Sequence, residues 1–202
     1  VGELLGLNEA MLRLHEKAIP WAGAAIRLEL RDADSDALAI ASQRGKLFCT
    51  FPLAEQVEAL PLHFNACFDL DSSRRQLSID DSAYAEADRV RVAWNLALLR
   101  HALPQAAALA IAALVPEVAS ASVGRFYALW PDPVRAEEPW RTLFTALLAR
   151  LAELPLIRTR AGQALAWEAL AATRLPPSLA GPDLQEALRD DGLRLPDPEL
   201  PS

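Results

Sequence analysis

Three side chains in one stretch of this sequence could hold a metal ion or activate a nucleophile: Cys49, His63 and Cys67. A thiolate beside an imidazole suits covalent catalysis, and two thiolates with an imidazole suit zinc. If residues 60–70 form one strand, His63 and Cys67 share a face about 13 Å apart, at roughly 3.3 Å per residue. The two cannot then reach one ion, so both cysteines are expected as ordinary core residues. An enzyme built on either thiol would need an accessible sulfur with a depressed pKa. Asp69, Asp71, Asp80 and Asp81 bracket the adjacent Arg74 and Arg75, an arrangement that usually gives solvated ion pairs. The five tryptophans are scattered, as core anchors are, and define no ligand box. The eight glycines are scattered too, and neither a P-loop, a dinucleotide fingerprint nor a Gly-x-Ser-x-Gly elbow can be drawn.

The elements that must carry these residues divide at about position 80. Helical spacing of Leu4, Leu7, Met11, Leu14 and Ala18 predicts a helix over 4–17, ended by Pro20. Period-two alternation then predicts a strand over 23–31. The turn cluster 32–36 joins it to a second strand over 37–43, as a hairpin. Gly45 allows a reversal into a strand over 46–53, followed by strands over 60–70 and 75–79. Beyond Asp81 the period becomes helical, with Ser82 as N-cap and Glu86 and Asp88 in the first turns. Val90, Trp94, Ala97 and Leu98 form one apolar row, and Val92, Leu96, Leu99 and Leu103 a second. Asp88, Arg91 and Asn95 are left as a narrow polar stripe, so this helix is expected to be buried on most sides. Pro104 should kink it or start a second helix running to Val115. A smaller unit follows: an aromatic cluster over 126–131, a helix over 137–151 and a short hairpin around Gly162. The expected class is α+β, a small mostly antiparallel sheet packed on long helices with a minor C-terminal α/β appendage. The expected units are a sheet-plus-helices domain over 1–118, a small subdomain over 119–174 and a proline-rich tail or linker over 175–202.

Length and composition agree with such a domain. The 202 residues are 52% hydrophobic and 23% charged, enough to bury a core without disulfides or metals. A net charge of −7 argues against nucleic acid or an anionic membrane as partner. Two cysteines are too few for a secreted disulfide framework and suit a reducing, cytoplasmic setting. The longest uncharged run, 102–116, falls short of the roughly 20 residues of a membrane span. Eighteen arginines against Lys17 and Lys46 suit a GC-rich bacterial genome. The start at Val1 suggests a segment of something longer.

One series of motifs points further. Phe48-Cys49-Thr50-Phe51-Pro52-Leu53 leads it, then Leu60-Pro61-Leu62-His63-Phe64-Asn65-Ala66, then Ser73-Arg74-Arg75. Trp94-Asn95-Leu96-Ala97-Leu98-Leu99 and Tyr127-Ala128-Leu129-Trp130-Pro131 complete it. In order and spacing this series resembles the sacsin family over roughly 19–172. Family positions held by Gly, Gly and Asn are Ala59, Ala66 and Ser73 here, the marks of a distant member. The resemblance implies a segment that follows an ATP-binding domain like that of the ninety-kilodalton heat-shock chaperones. ATP and Mg would then belong to that upstream domain, whose Asp-x-Gly-x-Gly signature this chain lacks.

The resemblance also makes Arg74 and Arg75 candidates to reach the nucleotide's terminal phosphate, since a guanidinium recognises phosphate oxygens bidentately. In an extended segment the two point to opposite faces, so one of them would do so. His63, Asn65, Ser73, Trp94 and Asn95 enter as motif residues. The leading expectation is a non-catalytic coupling module of an ATP-dependent chaperone-type protein, whose partners are the upstream domain and protein clients. The alternative is an interaction or scaffold module with no part in ATP turnover.

Overall fold

The computed structural model describes residues 2–14, 18–32, 35–57, 60–71, 77–79, 85–118, 126, 128–158 and 164–166. Helix α1 (Gly2–Arg13) buries Leu4 and Met11, two turns apart on one face. Its last helical residue is Arg13, the Leu14 N–H is shared between Ala10 O at 3.3 Å and Met11 O at 3.0 Å, and residues 15–17 of the expected helix lie outside the described residues.

Six strands follow: β1 (Ala22–Ile26), β2 (Leu28–Asp32), β3 (Ser35–Ile40), β4 (Gly45–Cys49), β5 (Phe51–Val57) and β6 (Leu62–Ala66). Four of them make one sheet in the order β1-β6-β4-β5. β1 lies antiparallel to β6 from Ala22↔Ala66 to Ile26↔Leu62, and β4 lies antiparallel to β5. The central pair, β4 with β6, is parallel. The class is therefore α+β with a small, mostly antiparallel sheet, as expected.

Several strand boundaries differ from the pattern in the sequence. The alternation over 23–31 is two strands, because the partner changes at Arg27. β1 pairs with β6, whereas β2 pairs with β3 in a separate ribbon, Leu28↔Ile40. Arg27 O accepts the N–H of Ala41 at 2.9 Å, which anchors the break. The run 46–53 is likewise two strands, reversed at Thr50, whose φ of 66° is left-handed. Gly45 is no reversal point. Its N–H donates to Leu60 O at 2.8 Å, and a Cβ placed there would lie 1.8 Å from Leu62 O. Glycine is needed for that close approach of two backbones. Of the expected strand 60–70 only β6 is regular. Of the strand expected over 75–79, residues 75 and 76 lie outside the described residues, and the described part makes a single bridge, Leu70↔Leu77. Pro52 sits in β5 at the sheet's edge, the position a residue without an N–H can occupy.

The long helix runs as α2 (Glu86–Ala97), a π-helical turn (Leu98–Ala102) and α3 (Leu103–Val118). Its N-cap is Ala85, so the expected cap Ser82 is incorrect, and Glu86 and Asp88 supply the negative charge of the first turn. Pro104 does not break the rod. The turn just before it is π-helical, with Leu103 N–H reaching back to Leu98 O, a local widening of the kind found where a proline is carried inside a helix. From Glu86 to Leu114 the helix is 29 residues, long and apolar enough to cross a membrane by length and composition alone. Trp94, Asn95, Leu98, Leu99, Leu103 and Ile111 are nevertheless wholly buried, as in a core helix.

One hydrophobic cluster runs from Leu4 to Leu156. β6 turns Leu62, Phe64 and Ala66 into it, and helix α4 (Trp140–Ala152) adds Leu143, Phe144, Leu147 and Leu151. Phe126 and Trp130 meet edge to face with centroids 5.4 Å apart. The expected terminal hairpin is β7 (Ile157–Arg158) with β8 (Ala164–Leu165).

Candidate functional site

Asparagine is a poor residue for a helix interior, because its amide competes for backbone hydrogen bonds. Asn95 sits mid-helix with no solvent exposure and uses its amide on the chain segment beside it. Its Oδ1 accepts the N–H of Asp69 at 2.9 Å. Its Nδ2 donates to Asp69 O at 2.7 Å and to Ser78 O at 2.9 Å. Asp69 O also accepts the N–H of Ser78 at 3.3 Å. The preceding residue, Trp94, donates its indole N–H to Cys67 O at 2.8 Å. One turn earlier, Arg91 lies 3.9 Å from the Asp69 carboxylate and 3.5 Å from that of Asp88.

The polar stripe of α2 is thus a clamp on the segment that leaves β6. The clamp grips both legs, at Asp69 and at Ser78, just outside the Leu70↔Leu77 bridge. Between those legs lie Ser73, Arg74 and Arg75, which fall outside the described residues. Trp94 and Asn95 are therefore brought to the base of the arginine-bearing segment, which spacing alone did not reveal. The available signal was a tryptophan-asparagine pair set among apolar neighbours, where an unpartnered amide would be costly.

His63 and Asn65 lie elsewhere, on the face of β6 turned away from the core. There they line an open groove of about 440 Å³ with Gly23, Ala25 and Phe48. His63 Nδ1 accepts the N–H of Lys46 at 3.2 Å, its Nε2 lies 3.3 Å from Gln43 Nε2, and Phe48 packs against its ring edge to face. Burial, with Lys46 and Arg27 nearby, lowers the pKa of this imidazole from its ordinary value. Protonation would also set an N–H on Nδ1 against the Lys46 N–H that this nitrogen accepts in the neutral ring. With the folded value below the unfolded one, the unfolded chain takes up the proton first as the pH falls. His63 therefore contributes stability above pH about 6.5 that is lost as the pH drops through the depressed value. The fall in urea midpoint between pH 7.5 and pH 5 should be smaller in His63→Gln than in the wild type. Equal falls would show that His63 does not contribute.

Both cysteines are partly buried rather than fully buried as expected, and Cys49 packs against the core. The Cys49 thiol donates to Phe68 O at 3.4 Å. Burial, with Cys67 and Asp69 nearby, pushes its pKa up. The net rise favours the thiol over the nucleophilic thiolate. No cluster of three metal-ligating residues occurs among the described residues.

An α+β domain whose central helix clamps both legs of the segment carrying Arg74 and Arg75 is thus the class of structure present. Human sacsin is 26% identical to it over 111 residues, 54% of this chain. The chain spans 2% of the length of sacsin. No protein-family profile and no solved structure matches the chain.

Proposed function

We propose that this chain is a non-catalytic coupling module of a sacsin-like, ATP-dependent chaperone-type protein. It would pass the nucleotide state of an upstream domain to client- or partner-binding surfaces. The observation that carries the reading is the Asn95 clamp. A pull on the segment carrying Arg74 and Arg75 is delivered through Asp69 and Ser78 to a helix running to Val118. The similarity to sacsin supports the same reading. In this role one of the two guanidinium groups stabilises charge on the terminal phosphate from a second domain.

The test is steady-state ATP turnover of the parent protein, which contains the proposed upstream domain, with Arg74→Ala and Arg75→Ala introduced separately. One of the two is expected to lose about a hundredfold, the scale of removing a charge-stabilising group. Unchanged turnover in both folded variants would make the chain an interaction or scaffold module instead.

A further inference from the structure

The groove on the outward face of the sheet plays no part in the clamp, and its chemistry is specific. Its floor is small or absent side chains, Gly23 and Ala25 of β1, beside the polar groups of His63 and Asn65. Aromatic rings stand at two sides. Phe48 lines it, and the Trp21 indole folds over Gly23, 3.3 Å from where a Cβ would lie, while remaining 52% exposed. Among the described residues no carboxylate lines it, whereas Lys46 donates its N–H to His63 and Arg27 reaches the same ring through Gln43. An aromatic-walled groove with a few polar groups and a cationic rim suits an extended, proline-bearing, acidic peptide. The carbonyls of a polyproline-type segment make no internal hydrogen bonds and need outside donors.

The chain itself contains a proline-bearing, acidic segment. Residues 176–202 hold six of its fifteen prolines. They carry six carboxylates (Asp183, Glu186, Asp190, Asp191, Asp197, Glu199) against Arg189 and Arg194, a net −4 of the total −7. Nine residues, 167–175, separate the last described residue, Ala166, from this segment's start. At about 3.1 Å per residue that tether alone reaches roughly 30 Å, near the width of a domain this size. We propose that residues 176–202 dock in cis on the outward sheet face. Prolines would stack on Trp21 and Phe48, and carboxylates would meet Arg27 and Lys46. The proposal does not depend on the role of Arg74 and Arg75.

The test uses the full chain with a photocrosslinker at either wall, Phe48→p-benzoylphenylalanine or Trp21→p-benzoylphenylalanine. The second is exposed and tolerates change if the first perturbs folding. After illumination, peptide mapping of the monomer band is expected to find adducts to residues 176–202. Pairing Arg27→Glu with Lys46→Glu should lower their yield about fivefold, the scale of reversing two exposed charge pairs. Slower amide exchange over 23–25 and 63–65 in the wild type than in the double variant would be the matching sign. Adducts that avoid 176–202, adducts only between two chains, or a yield and exchange unmoved by charge reversal would each overturn the proposal.

Discussion

Asn95→Leu is expected to cost about 4 kcal/mol of folding stability. Leucine keeps the branched outline and is the better helix former, but it is bulkier and strips three hydrogen bonds from a side chain with no access to water. Asp69 O retains the N–H of Ser78, so the groups left without their asparagine partner are Asp69 N–H and Ser78 O. Each of the three lost hydrogen bonds contributes roughly 1 kcal/mol, and desolvation of the partly buried groups that bonded the amide adds about 1 more. For a chain of this length that is a fall in Tm of roughly 8–16 °C. Asn95→Asp makes a sharper test. A carboxylate can accept from Asp69 N–H but can donate to neither carbonyl, and it is buried near the charge of Asp69. Only the neutral acid could donate once, so this variant's pKa should be raised by burial. The sign follows: Asn95→Asp should be closest to wild type at low pH and lose ground as the pH rises above about 4. Unfolding curves at pH 4 and pH 7 measure both effects. A loss below about 1 kcal/mol in Asn95→Leu would mean that the clamp does not hold the segment.

Gly45→Ala should be nearly as damaging, for a reason of space rather than backbone angle. Where an alanine fits the native backbone, replacing glycine gains about 0.4–1 kcal/mol by restricting the unfolded chain. At Gly45 the added carbon would lie 1.8 Å from Leu62 O and 2.5 Å from Leu62 C, atoms of the neighbouring strand's backbone that cannot rotate aside. β4 must then move off, weakening the Gly45 N–H bond to Leu60 O and the parallel pairing with β6. Overpacking of this kind costs about 1–3 kcal/mol, and more when a backbone must shift, so about 3 kcal/mol is expected. Gly6→Ala is the control. Nothing lies within 4 Å of its Cβ and it is interior to α1, so it should gain about 0.5–1 kcal/mol. Equal signs for the two substitutions, read by urea unfolding, would refute the steric argument.

The helices were legible because their signal is local. Two apolar rows over 90–103 predicted a mostly buried rod, and Leu99 and Leu103 are wholly buried. Strand alternation, by contrast, says which face is covered and not which strand is the neighbour. The exchange of partner at Arg27 and the reversal at Thr50 therefore left no mark in the pattern. A non-glycine residue in the left-handed region is uncommon, and Gly45 nearby was the stronger turn signal by type. The candidate site was half visible. Trp94 and Asn95 stood out as a motif, but their acceptors lie 17 to 27 residues away and could not be paired from spacing. His63 and Asn65 were visible in the same way, and only the sheet register set them on the outward face beside β1.

The proline at the edge of the sheet bears on how the protein behaves in a crowd. An open strand offers a row of donors and acceptors to any other chain, and long apolar edges seed aggregation. Pro52 removes one donor from β5 near its start and cannot take part in a continuous ladder with an added strand. Phe51 beside it is 74% exposed, so the apolar surface most inviting to a stray strand adjoins the residue least able to pair with one. The edge thus helps keep each copy of the chain to itself at high concentration, at the cost of a single hydrogen-bond donor.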